Sequence, residues 1–293
     1  MTHAIQLGRI GIWSGGLWAQ PEEARQAARE LERLGYGALW FPNGPGLLAR
    51  ARELLDATSR VVVATGIASI WMHPAEEVAN AHHALTQAHP GRFLLGLGVS
   101  HAQLVNRQQA GRYTKPVERM QAYLDTLDAA PDPVPADERI LAALGPRMLE
   151  IARTRSVGAH PYLVPVEHTR RARELLGTGP LLAPEQAVVL RSDPAQARSI
   201  ARTHLARYLQ APNYTNNWLR LGFTTEDLAN GGSDRLVDAL VVWGDVDAIR
   251  ERVAAHLRAG ADHVCLQALT ANQPALPYEE WRALAALATP SNL

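Results

Sequence analysis

The chain has 293 residues, 47% of them hydrophobic, and its 29 Lys+Arg balance 29 Asp+Glu. That is enough apolar material for one large core or two small ones, and it lacks the basic surplus of a nucleic-acid binder. The lone Cys265 excludes an internal disulfide framework and points to a reducing, cytoplasmic setting. Every apolar run is shorter than the roughly 20 residues that span a bilayer, and Met1–Leu7 is not a charged segment leading into an apolar one. The expectation is a soluble protein with neither membrane nor nucleic acid as partner.

In chain order, Arg9–Trp13 is a short β-rich run. Pro21 then stands at a first helical position with Glu22 and Glu23 in the first turn. Ala24, Ala27, Leu31 and Leu34 form an apolar stripe that Gly35 stops, so the spacing predicts strand then helix. "ALWFPN" predicts a second strand and Leu47–Thr58 a second helix; Val61–Ile70 predicts a third strand and Pro74–Ala88 a third helix, closed by His89-Pro90-Gly91. "FLLGLGVS" is a fourth strand, and a polar loop over 101–115 leads to a helix over Pro116–Asp128. "RILAAL" with "GPRMLEIARTRSV" makes a fifth unit, and "GAHPYLV" with Glu167–Leu176 a sixth. A seventh strand is expected within Leu181–Leu190, and Val246–Ala259 before "HVCLQAL" brings the eighth.

Strands that are apolar along their whole length and alternate with helices imply parallel pairing with both faces covered. The expected fold is therefore an α/β (β/α)8 TIM barrel forming one domain over 1–293, with a doubly wound open sheet as the alternative. The stretch from Asp193 to Asp245 is too long for one crossover and reads as short helices, so a helical insertion over about 193–245 is expected near the barrel mouth. Its "NYTNNW" offers polar contacts for a substrate entrance.

In such a barrel the chemistry sits at the C-terminal ends of the strands. Those ends deliver Trp13-Ser14-Gly15-Gly16, Phe41-Pro42-Asn43-Gly44, Ser69-Ile70-Trp71-Met72-His73, Gly98-Val99-Ser100-His101, Gly145-Pro146-Arg147, His160-Pro161-Tyr162 and Glu185-Gln186. Glycines and helix starts suit close backbone approach to an anion. Histidines are frequent and carboxylates scarce, which is a poor metal set, and no His-Glu-x-x-His spacing occurs, so no metal is expected. Cys265 lies inside an apolar run, and no Gly-x-Ser-x-Gly elbow is present, which argues against nucleophilic catalysis. The only lysine, Lys115, is not at a strand end, which disfavours Schiff-base chemistry. "GLGVSH" holds a Gly-x-Gly but not the full dinucleotide fingerprint, and Trp71 alone reads equally well as a packing residue.

"TGIASIWMHPAEEVANAHHALTQAHPGRFLLGLGVSHAQL", followed by "LAALGPRMLEIARTRSVGAHPYLV", resembles the bacterial luciferase-like superfamily. The likeness is greatest to the branch that uses coenzyme F420, the 8-hydroxy-5-deazaflavin, in place of flavin. It extends over nearly the whole chain, through "LLAPEQAVVL" to "WGDVDAIRERVAAHLRAGADHVCLQ".

The resemblance implies a non-prolyl cis peptide at the end of the third strand, matched here to Ser69–Ile70, with Trp71 beside it behind the central ring of the coenzyme. It implies a phosphate cradle from Gly98, Val99 and Ser100 together with Gly145 and Pro146, with Arg147, Arg112 or Lys115 adding charge. It also implies a homodimer. Asn43-Gly44 stands where well-studied deazaflavin dehydrogenases have an Asp-His pair, and His101 stands where they tend to have an acid. His101 or His160 is therefore the expected proton-handling residue, since imidazole titrates near neutrality. Trp13, Phe41, Asn43, His73 and Glu185 are the expected substrate pocket, Trp40 and Trp71 adding apolar wall for a small apolar substrate. Three functions follow: an F420-dependent oxidoreductase moving a hydride, an FMN-dependent monooxygenase served by a partner reductase, or a non-catalytic coenzyme-binding protein.

Overall fold

The structure is a computed structural model that describes residues 5–108, 110–272 and 275–288, so the first four residues of Met1–Leu7 lie outside the described residues. The strands are β1 (Ile10–Trp13), β2 (Ala38–Phe41), β3 (Val62–Thr65), β4 (Ala68–Ser69), β5 (Phe93–Gly98), β6 (Arg139–Leu141), β7 (Gly158–Ala159), β8 (Leu181–Leu182), β9 (Glu185–Val189), β10 (Val241–Trp243) and β11 (Val264–Ala268). The helices are α1 (Pro21–Arg33), α2 (Leu47–Ala57), α3 (Ala75–Ala88), α4 (Ala102–Gln108), α5 (Pro116–Ala129), α6 (Pro146–Arg155), α7 (Val166–Leu176), α8 (Pro194–Leu205), α9 (Pro212–Arg220), α10 (Thr225–Leu228), α11 (Asp234–Leu240), α12 (Val246–Arg258) and α13 (Tyr278–Leu284).

All pairings are parallel, in the order β10-β9-β11-β1-β2-β3-β5-β6-β7-β8, with β4 against β5. β8 and β9 are one strand broken at Ala183-Pro184. Its first half pairs with β7, and hydrogen bonds from Asp262 N to Leu182 O and Cys265 N to Pro184 O join it to β11, which closes the barrel. The eight expected strands are thus β1, β2, β3–β4, β5, β6, β7, β8–β9 and β11.

Two elements differ from the sequence reading. The polar loop over 101–115 contains helix α4, and the insertion, expected to be helical throughout, ends in strand β10, paired to the outer half of β9. Three apolar clusters result. One fills the layer between barrel and outer helices, one fills the lumen around Trp13, Trp40, Ala64, Leu94, Ile140 and Cys265, and one is the insertion's own, built on Trp218, Leu205, Tyr208, Leu236 and Val241. Among the described residues no helix is long and apolar enough to cross a membrane.

Candidate active site at the barrel mouth

The third barrel strand is interrupted before its end. Val63 and Ala64 pair with Phe93 and Leu94, and pairing resumes with Ala68 and Ser69 against Leu97 and Gly98. Between these points the third strand carries one residue more than its neighbour, which is a bulge. Thr65 fills the gap with its side chain: its Oγ1 accepts from Gly96 N and donates to Gly96 O, both at 2.8 Å. A Cβ on Gly96 would stand 1.9 Å from the Thr65 carbonyl oxygen, so only glycine fits there. The cis peptide lies in this bulge, at Gly66–Ile67. The placement at Ser69–Ile70 is therefore corrected by three residues: that bond is trans, because Ala68–Ser69 has already returned to regular pairing with β5.

Gly66 and Ile67 are half-buried and form part of the floor of the mouth. The Trp13 indole N–H donates to the Gly66 carbonyl at 3.2 Å, and a Cβ on Gly66 would stand 2.6 Å from that indole nitrogen. Below it, His160 is 1% exposed and stacks on Trp40 with ring centroids 4.2 Å apart. Its Nδ1–H donates to the Ala183 carbonyl at 2.7 Å, Nε2 has no partner among the described residues, and burial pushes its pKa down to about 4.

Above the floor stands an aromatic wall built by Tyr162, from the segment after β7, and by Tyr208 and Tyr214 of the insertion. Tyr162 lies 5.3 Å from Trp13, and Tyr208 and Tyr214 pack beside it. His101 stands at the rim, half-buried, with Nδ1 3.3 Å from Asn213 Oδ1 and its ring 5.3 Å from Tyr214; burial lowers its pKa. Gln103 Nε2 donates to Gln210 O at 2.5 Å, a second tie between the β5–α4 segment and the insertion. Glu185 is fully buried below Tyr162: Oε2 accepts from Leu163 N at 3.0 Å, Oε1 has no partner among the described residues, and burial raises its pKa to about 8.

The adjoining corner of the same rim suits an anion. Ser100 adopts φ +54°, and α6 begins at Gly145 with Pro146 in its first turn and no side-chain cap. The Arg220 Nη2 nitrogen lies 3.6 Å from where a Gly145 Cβ would be, and also donates to Asn217 Oδ1 at 3.3 Å. Asn217 is buried, and its Nδ2 has no partner among the described residues. Arg220 went unnoticed in the sequence because helix α9 carries it in from far along the chain, whereas Asn217 lies in the "NYTNNW" stretch expected to offer polar contacts at the substrate entrance.

The expected residues fall into several groups. Trp13, Gly98, Val99, Ser100, His101, Gly145 and Pro146 stand around the mouth, with Glu185 and His160 beneath it. Phe41 does not join them: Trp40 takes the lumen side of β2, and strand alternation turns Phe41 outward into the helix layer, against Trp18 at 5.8 Å. Ile70, Trp71 and His73 line a separate cleft of about 290 Å³ between the start of α3 and α5, with Arg112, Arg119 and Tyr123. Trp71 is buried there, donating to the Val99 carbonyl at 2.8 Å. Asn43 joins Ser69 to His73: its Oδ1 accepts from Ser69 N at 3.1 Å and lies 2.8 Å from His73 Nε2. Among the described residues no group of His, Cys, Asp and Glu is arranged to hold a metal ion.

The family model described as luciferase-like monooxygenase matches residues 4–263. No curated protein matches the sequence. Among solved structures, the chain is similar to an F420-dependent secondary alcohol dehydrogenase in complex with an F420-acetone adduct, at 13% identity and TM-score 0.75, over 98% of this chain and 100% of that one. It is similar to the coenzyme F420-dependent tetrahydromethanopterin reductase of Methanopyrus kandleri, at 14% identity and TM-score 0.68, over 97% and 98%. It is also similar to the FMN-bound oxygenating constituent of 3,6-diketocamphane monooxygenase of Pseudomonas putida, at 13% identity and TM-score 0.70, over 96% of each chain. At such identities the likeness carries the fold alone.

Proposed function

Because the chain belongs to the luciferase-like monooxygenase family, we propose that it is an oxidoreductase that binds a phosphate-bearing deazaflavin, coenzyme F420, at the barrel mouth and acts on a small, largely apolar substrate. The observation that carries this reading is the start of α6. An uncapped helix N-terminus with glycine at the N-cap leaves backbone N–H groups free for an anion, and the Arg220 guanidinium stands beside it. The buried, unpartnered Asn217 Nδ2 adds a donor in the same corner. The half-buried Gly66–Ile67 turn, held by Trp13, offers a flat surface for a ring system.

When bound, such a coenzyme supplies hydride chemistry, and the chain's part is binding, orientation and proton control. Asn213 Oδ1 accepts from His101 Nδ1–H, which leaves Nε2 as the basic nitrogen, and burial keeps the ring neutral near pH 7. His101 is thus the better placed of the two candidate histidines; His160 is sealed beneath the floor. The aromatic wall excludes water and favours an apolar substrate.

The test is a side-by-side calorimetric titration of the purified protein with oxidised F420 and with FMN. F420 binds more tightly, and both Gly145→Val and Arg220→Gln weaken it about tenfold or more, as loss of one charge-assisted contact does. Preference for FMN would move the reading to an oxygen-consuming monooxygenase with a reductase partner, and unchanged affinity in both variants would remove the phosphate from this corner.

A further inference from the structure

Leu163 is a non-glycine residue at φ +51°, a backbone state that side-chain-bearing residues enter at a cost. Two buried groups hold it there. Its N–H donates to Glu185 Oε2 at 3.0 Å, and its carbonyl accepts from the Trp218 indole at 3.1 Å. The turn they enforce comes directly after Tyr162 and fixes that ring, half-buried, beside Trp13 at the mouth.

The hydroxyl of Tyr162 ends a directional chain. Arg207 Nη2 donates to Tyr208 OH at 2.6 Å, Tyr208 OH donates to Tyr162 OH at 3.0 Å, and Tyr162 OH donates to Gln267 Oε1 at 2.8 Å. The Gln267 amide oxygen can only accept, so Tyr162 donates to it and the Tyr162 oxygen in turn takes the Tyr208 proton, with His204 Nε2 3.3 Å from the same hydroxyl. The Tyr162 proton is thereby always presented to an acceptor, and burial keeps both phenols protonated.

We propose that Tyr162 is the substrate-facing hydrogen-bond donor of this site, offering its hydroxyl to a carbonyl-type oxygen on a flat apolar substrate in exchange for Gln267, with Glu185 as a positioning residue acting through Leu163. The assignment rests on the reading of the mouth as the substrate site and is independent of which coenzyme binds.

The experiment uses the purified full-length protein, acetophenone as probe and ethylbenzene as the same shape without the oxygen. Affinities come from ligand-observed NMR, and the hydrogen bond from the carbonyl stretch of bound acetophenone. The wild type prefers the ketone and lowers its stretching frequency. Tyr162→Phe reduces that preference about 3- to 10-fold, the worth of one neutral hydrogen bond, and restores the unbonded frequency while ethylbenzene affinity stays unchanged. Glu185→Gln keeps an acceptor for the Leu163 N–H and keeps the preference, whereas Glu185→Leu loses it with ethylbenzene binding intact. No ketone preference in the wild type, or a lowered frequency persisting in Tyr162→Phe, overturns the Tyr162 assignment. Preference retained in Glu185→Leu removes Glu185 from it. Failure of the F420 titration leaves these readings untouched, so the two ideas fail separately.

Discussion

Glu185 shows how far a single buried acid governs this site. It has no cationic partner: one oxygen takes the Leu163 N–H and the other has no partner among the described residues. Desolvation therefore dominates and raises its pKa from 4.5 to about 8. A carboxyl that keeps its proton in the folded state while the unfolded chain releases it contributes stability that is complete below the unfolded value and is lost as pH rises through the folded one. Wild type should thus lose stability relative to Glu185→Gln by about 2–4 kcal/mol between roughly pH 5 and 8, at the linkage limit of about 1.4 kcal/mol per pH unit. Urea unfolding at both pH values measures it, and a constant difference would mean that Glu185 is ionised in the fold. Composition gave no hint of this, since a glutamate beginning an apolar strand reads as a pocket residue until its burial is known. Trp40 and Phe41 pose the same difficulty: both are apolar neighbours on a strand covered on both faces, so hydrophobicity cannot say which one enters the lumen.

Among the elements, the bulge in the third strand does most to shape the mouth. The strand itself was legible, because a long β-branched and apolar run between turn signals has few other readings. Where its pairing breaks was not, since that depends on the register against β5 and on the fit of Thr65 to Gly96. Helix α4 and strand β10 escaped for related reasons: one is short and polar, and the other is a brief apolar run directly after a helix. Thr65 bridges both backbone groups of a glycine that sits in a fully buried strand. Thr65→Val keeps the volume and removes the bridge, which leaves the Gly96 N–H unsatisfied; the expected cost is about 1–3 kcal/mol of unfolding free energy. A change below about 0.5 kcal/mol in urea unfolding would show that the bulge is held by backbone packing alone.

Over the whole molecule, histidine is mainly a core residue. Of the 11 in the sequence, His82, His160, His168, His204, His256 and His263 are buried; the last five are bonded to neutral groups, namely the carbonyls of Ala183, Leu144 and Gly8, the hydroxyls of Tyr162 and Thr169, and Gln186, while His82 Nε2 faces Glu138 at 3.3 Å. Burial lowers all six, to about 3 for His204 and His256 and about 4 for the others. A depressed folded pKa gives stability that is present above the unfolded value and lost as pH falls toward the folded one, so the protein should weaken from about pH 6.5 downward. Near pH 5.5 unfolding exposes six imidazoles that take up protons, while Glu185 releases one, so a net uptake of about four to five protons per molecule is expected. Calorimetric unfolding in buffers of different ionisation enthalpy measures that number directly. An uptake below about two would mean that several of these rings are already charged in the fold, and the neutral, desolvated interior on which the reading of the barrel mouth depends would have to be given up.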